Sequence, residues 1–105
     1  MKPEFENIPL QNNEEQKRFE LDVNGYTAFI NYGGLGNQIA LVHTEVPKAL
    51  AGLGVGSALV EKTLQYIENQ QKTLLPFCPF VFAYIKKHPE WKRIVDTKFK
   101  AYDQL

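Results

Sequence analysis

Phe19, Leu21 and Val23 alternate with Arg18, Glu20 and Asp22, the period of a strand with one buried face. Asn24-Gly25 follows, and such a pair between two alternating runs predicts a two-residue hairpin, because both positions accept positive φ. The returning strand is predicted over 26–32, with Tyr26, Ala28, Ile30 and Tyr32 on one side and Phe29 on the other. Residues 33–37, Gly-Gly-Leu-Gly-Asn, are expected to turn, and 38–46 to form a third strand, which makes an antiparallel meander. Pro47 closes it. After a short connection over 48–53 the period changes. Leu59, Val60, Thr63, Leu64 and Ile67 recur at helical spacing while Glu61, Lys62, Gln65 and Glu68 face away, predicting a helix over 54–70. Residues 73–77 are short, apolar and closed by prolines, which suits a fourth strand. From Pro79, the residues Phe80, Val81, Tyr84, Ile85 and His88 share one helical face, so a second helix should end near Pro89. The tail over 91–105 mixes aromatic and basic residues and is expected to hold a short terminal helix. Residues 1–16 are polar, with Pro3 and Pro9, and are expected to form a lead-in segment outside the core of one domain spanning 17–105.

Composition narrows the function classes. The chain has 105 residues, enough for one hydrophobic core and too few for two domains. Twelve basic residues balance twelve acidic ones, so no net field draws it toward nucleic acid or an anionic membrane. One cysteine excludes an internal disulfide and a multi-cysteine zinc site, and no metal is expected; a reducing cytoplasm suits this usage. The first residues, Met-Lys-Pro-Glu-Phe, lack the apolar stretch of a signal peptide, and no run is long enough to span a bilayer.

Chemistry concentrates where the third strand gives way to the first long helix. There the chain reads Ala51-Gly52-Leu53-Gly54-Val55-Gly56-Ser57. Glycines at alternate positions permit positive φ and let a ligand approach bare backbone. The first helical turn leaves its N–H groups without intrahelical partners, and the helix dipole makes that end partly positive. Gly52, Leu53, Gly54, Val55, Gly56 and Ser57 are therefore candidate phosphate-binding residues, with the Ser57 hydroxyl as an added donor. The bland alternative is a helix start that uses glycine for tight packing. A Walker loop does not fit, because Gly56 runs into Ser57 with no lysine between. A Rossmann fingerprint does not fit either: no acidic residue stands near 72–75, and the preceding strands do not alternate with helices.

His43-Thr44-Glu45-Val46-Pro47, Gly52-Leu53-Gly54-Val55-Gly56, Cys78-Pro79-Phe80-Val81 and Tyr84-Ile85-Lys86-Lys87-His88-Pro89 together resemble the small single-domain branch of the GNAT N-acetyltransferase superfamily. The resemblance runs from about Phe19 to Trp91. In that family the turn carries Gln or Arg where this chain has Ala51, whereas Gly54 and Gly56 match. The resemblance implies an α+β fold: a mixed, mostly antiparallel sheet with splayed central strands and two main helices. It implies coenzyme A or acetyl-CoA as the bound cofactor, with Thr44, Glu45 and Val46 along the pantetheine arm. The Val46 N–H would then stand near the thioester carbonyl, where such a donor stabilises an oxyanion.

Four side chains are candidates for the chemistry. Pro79 suits the first turn of a helix, which puts Cys78 at its N-cap, where the dipole favours thiolate. The resemblance places this cysteine near the coenzyme sulfur, either carrying an acetyl group or lining the pocket. His43 and Glu45, two apart on a strand, share one face; Ile39 and Leu41 precede them on it, which puts both at the end of an apolar surface. Either could take the ammonium proton of an attacking amine, the alternative being a solvated strand end. Tyr84 is a core residue whose hydroxyl is a candidate proton donor to the leaving thiolate. The resulting expectation is an acetyl-CoA-dependent N-acyltransferase acting on a small-molecule or peptide amine, as a monomer or weak homodimer without nucleic-acid or membrane partners. A non-catalytic acyl-CoA binding module and a plain interaction domain are the alternatives.

Overall fold

The computed structural model describes all residues, 1–105. Its elements run α1 (Pro3–Glu6), β1 (Gln11–Asn13), β2 (Arg18–Val23), β3 (Tyr26–Leu35), β4 (Gln38–Glu45), α2 (Val55–Asn69), β5 (Thr73–Pro76) and α3 (Pro79–Lys87), with 3-10 turns at Lys48–Leu50, Pro89–Ile94 and Tyr102–Gln104. The five strands lie in sequence order in one sheet, β1 to β4 antiparallel and β5 parallel to β4. This is the mixed, mostly antiparallel α+β architecture expected. No helix is long and apolar enough to cross a membrane.

The alternating pattern of β2 is the burial pattern observed: Phe19, Leu21 and Val23 are buried, and Arg18, Glu20 and Asp22 are not. Ala28 and Ile30 of β3 and Ile39 and Leu41 of β4 continue that apolar face. Onto it α2 lays Val55, Ala58, Leu59, Val60, Thr63, Leu64 and Ile67, all buried. Each large aliphatic side chain buried there contributes roughly 1.5–3 kcal/mol. Thr63 fits the interior because its hydroxyl donates to the Leu59 carbonyl at 2.8 Å, so no polar atom is stranded.

Three expectations change. The turn expected over 33–37 shrinks to Gly36-Asn37, because Gly33, Gly34 and Leu35 pair with Ala40, Ile39 and Gln38 and lengthen the hairpin. A Cβ on Gly34 would lie 2.1 Å from the Gln38 carbonyl oxygen, so glycine here serves a close backbone approach. The polar lead-in, expected outside the core, places Phe5 in it and adds β1 to the sheet edge. The tail forms 3-10 turns and a parallel bridge between Val95 and Leu74.

Candidate acyl-coenzyme site

The sheet opens between β4 and its edge strand β5, for reasons written in three residues. Strand β5 pairs with β4 only from Gln38↔Thr73 to Leu41↔Pro76. The Cys78 amide then donates to the Leu41 carbonyl at 2.8 Å, the last main-chain hydrogen bond between the two segments, and Pro79 turns the backbone into α3. Strand β4 runs on to Glu45, held on its other side by β3. Between Leu41 and His43 it carries an extra residue: Leu41 faces Tyr32 and His43 faces Asn31, which leaves Val42 as a β-bulge. A bulge bends its strand and increases the local twist. The splay, expected between central strands, lies instead beside the edge strand, between the end of β4 and the Phe77-Cys78 corner that follows β5.

The same bulge corrects the predicted facing of His43 and Glu45. Counted straight through, both continue the Ile39–Leu41 face. The added residue reverses the parity. Thr44 lies opposite Ile30 and takes the core side, while His43 and Glu45 turn to the solvent side opposite Asn31 and Phe29. They still share a face with each other, with Nε2 of His43 3.5 Å from Oε1 of Glu45 and side chains 59% and 55% exposed. Period-two reasoning cannot detect an inserted residue, because the pattern on either side of it is intact.

Thr44 and Cys78 form the inner end of the opening. Their Oγ1 and Sγ atoms are 3.2 Å apart, and either can donate. Cys78 is the N-cap of α3, as its position before Pro79 predicts, and it is 2% exposed. Val46 stands at the outer end of β4, and its amide donates to no protein acceptor. Opposite it, Gly56 is the second residue of α2. A Cβ there would lie 2.9 Å from Cζ of Phe80 and 3.5 Å from Cγ2 of Val46, so the missing side chain lets helix, strand and ring meet. Periodicity puts Phe80 on the core face of its helix, yet the ring is 45% exposed beside this contact.

The turn ahead of α2 is exposed. Gly54 is the N-cap at φ +85° and Gly52 lies at φ +78°, conformations that L-residues with side chains rarely adopt. The Leu53 amide donates to the Leu50 carbonyl at 3.3 Å. Those of Gly52, Gly54, Val55, Gly56 and Ser57 have no protein acceptor, and no side chain caps the helix. No acidic residue occupies the first turn of α2. The aliphatic arm of Lys2 crosses this turn: its Cε lies 3.4 Å, and its Nζ 3.8 Å, from where a Cβ on Gly54 would sit. Nothing in the sequence pattern signalled Lys2, which falls in the lead-in.

Tyr84 stands apart from Cys78. Six residues separate them along α3, about 9 Å of helix rise. The Tyr84 hydroxyl donates to Oε1 of Glu61 at 2.5 Å, and the Trp91 indole donates to the same oxygen at 3.0 Å. Burial first, and then the neighbouring Glu61 carboxylate, push the Tyr84 phenol well above its usual range. Thr44 thus meets Cys78, Val46 approaches Gly56 at the outer end of β4, His43 and Glu45 face solvent, and Tyr84 lines a groove with Gly54 and Ser57 of the glycine turn. No group of three or more His, Cys, Asp or Glu residues stands close enough to hold a metal ion.

Residues 18–94 match the family described as GCN5-related N-acetyl-transferase. The chain belongs to that family. Protein NATD1 of Mus musculus is 27% identical over 85 residues, covering 78% of this chain and 77% of the mouse protein. Protein NATD1 of Homo sapiens is likewise 27% identical, with 75% of its length covered. Among solved structures, the NMR structure of a GCN5-like protein from Staphylococcus aureus superposes with a TM-score of 0.64 at 23% identity, covering 87% of this chain and 90% of that one. That likeness supports the fold. Within the GCN5-related frame, β4, the exposed glycine turn and the start of α3 are the elements around the opening.

Proposed function

We propose that this chain transfers an acetyl group from acetyl-CoA to the amine of a small molecule or peptide. The observation that carries the proposal is the run of main-chain N–H groups at Gly52, Gly54, Val55, Gly56 and Ser57 without protein acceptors, at the mouth of the splayed strands. Such a cradle matches the oxygens of a diphosphate in donor number and in sign of charge. The residues present therefore fit the coenzyme.

When bound, acetyl-CoA supplies an activated acyl thioester. This chain's own groups do the rest. The glycine-turn amides hold the diphosphate, and the absent side chain at Gly56 lets α2 close against Val46 and the Phe80 ring. The free Val46 N–H is the donor for charge that builds on the acyl oxygen. Glu45 and His43, exposed and hydrogen-bonded to each other, are placed to accept the ammonium proton of the incoming amine, directly or through water. The near-complete burial of Cys78 and its contact with Thr44 favour a thiol that lines the inner wall. Its N-cap position supports a second reading in which Cys78 carries the acetyl group in transit.

Isothermal titration with CoA should give micromolar binding that Gly54→Val removes; no heat at millimolar CoA would sink the proposal. Thiol release from acetyl-CoA across a panel of amines tests turnover, and a rate equal to the uncatalysed one would leave a coenzyme-binding module. Intact mass after incubation with acetyl-CoA separates the two roles of Cys78, since only a carrier yields an adduct that Cys78→Ala lacks.

A further inference from the structure

The glycine turn has no cation of its own. Its residues, Gly52 to Ser57, carry only apolar and hydroxyl side chains. A positive charge reaches it from the far end of the chain. Helix α1 is pinned by Phe5, 4% exposed within the hydrophobic core, and by the Lys62 ammonium donating to the Glu6 carbonyl at 3.2 Å. The Phe5 amide donates to the Lys2 carbonyl at 3.0 Å, which fixes the backbone of Lys2 at the start of this short helix. From there the lysine arm lies across Gly54, packing its methylenes on the bare backbone and extending its ammonium over the N-cap. No carboxylate lies within ion-pair distance of Lys2.

Lys2, Gly54, Ser57 and His88 line one groove with Tyr84, and none of its lining residues is acidic. The nearest acids, Glu6, Glu61 and Glu90, line the adjoining groove across Tyr84 and His88. Glu4 and Glu6, on the same N-terminal segment, line other grooves. A lysine laid across a glycine turn with free amides is placed to complete an anion site, as a point charge beside main-chain donors.

We propose that the ammonium group of Lys2 is a second ligand for the coenzyme's diphosphate, delivered to the glycine turn by the N-terminal segment. The inference rests on the reading of that turn as the coenzyme site. It gives the lead-in a function of its own: the segment carries one hydrophobic anchor, Phe5, and one cationic side chain, Lys2.

The test titrates the full chain with CoA and with 3′-dephospho-CoA. Lys2→Ala should weaken both ligands about fivefold, Lys2→Glu about 30-fold, and Lys2→Arg should stay near the parent. Raising the salt should shrink these gaps, because the site is open to solvent. Melting temperatures should be unaffected, since Lys2 is exposed. Equal CoA affinity in the parent and Lys2→Glu would overturn the inference while leaving the coenzyme site intact. A loss confined to CoA and absent with 3′-dephospho-CoA would also overturn it, by moving the contact to the ribose phosphate. A parent protein that binds neither ligand would remove the site reading itself.

Discussion

Gly54 and Gly56 look equivalent in the sequence and differ in what they require. Gly54 needs its backbone conformation, φ +85° at the N-cap, and any L-side chain there is strained by about 1–2 kcal/mol. Gly56 is helical and needs only space: an added Cβ meets the far end of the Phe80 side chain at 2.9 Å. That ring is partly exposed and can swing. Alanine also gains about 1 kcal/mol of helix propensity over glycine, so Gly56→Ala should fold with a melting temperature close to the parent's. CoA affinity should nevertheless drop about tenfold, because the methyl group pushes the Phe80 ring out of its place beside the glycine turn. Phe80→Ala in the same chain should recover part of the loss in a titration. Undiminished affinity in Gly56→Ala would take this contact out of the binding site.

At the scale of elements, the opening depends on β4 being one residue longer than its ladder with β3 requires. Val42 has no partner of its own, and both it and His43 are exposed. Deleting Val42 restores a regular ladder while keeping Thr44 opposite Ile30 and His43 opposite Asn31. Core residues therefore keep their places, and the deletion should fold cooperatively by circular dichroism. The bend that parts β4 from the Phe77-Cys78 corner should go with the bulge, and CoA binding with it. A deletion variant that binds CoA like the parent would mean that the prolines alone, at 76 and 79, open the sheet.

For the whole molecule, the tail closes the edge of β5. Val95 bridges Leu74, the Asp96 amide donates to the Leu74 carbonyl at 3.0 Å, and the Phe99 ring meets Phe77 edge-on with centroids 5.3 Å apart. The Asp96 carboxylate accepts from the Lys98 amide at 2.9 Å and from the Gln38 side chain at 2.7 Å. These donors, the amide foremost, hold its pKa below the ordinary aspartate value. The unfolded chain then binds the proton first. The stabilisation is present above the ordinary value, about 4, and is lost as pH falls from there through the lowered one. Urea unfolding at pH 6 and pH 3 should show a smaller decline for Asp96→Asn than for the parent, and equal declines would remove Asp96 as a contributor. The sequence alone determined whatever depends on local period and local chemistry: the β2–β3–β4 meander, the helix carrying Leu59 to Ile67, the strand after it, Cys78 at a helix start, and the glycine turn. Those signals lie within a few residues of one another, where backbone sterics and one-sided burial act directly. Tertiary structure decided what depends on partners distant in the chain. A bulge is defined only by the register between two strands, so the outward facing of His43 and Glu45 was invisible in β4 itself. Phe5 and Lys2 carry no periodic signal; long-range packing against α2 and the glycine turn gives them their places. The convergence of Tyr84 and Trp91 on the Glu61 carboxylate likewise required two helices and a turn to meet, which no single segment encodes.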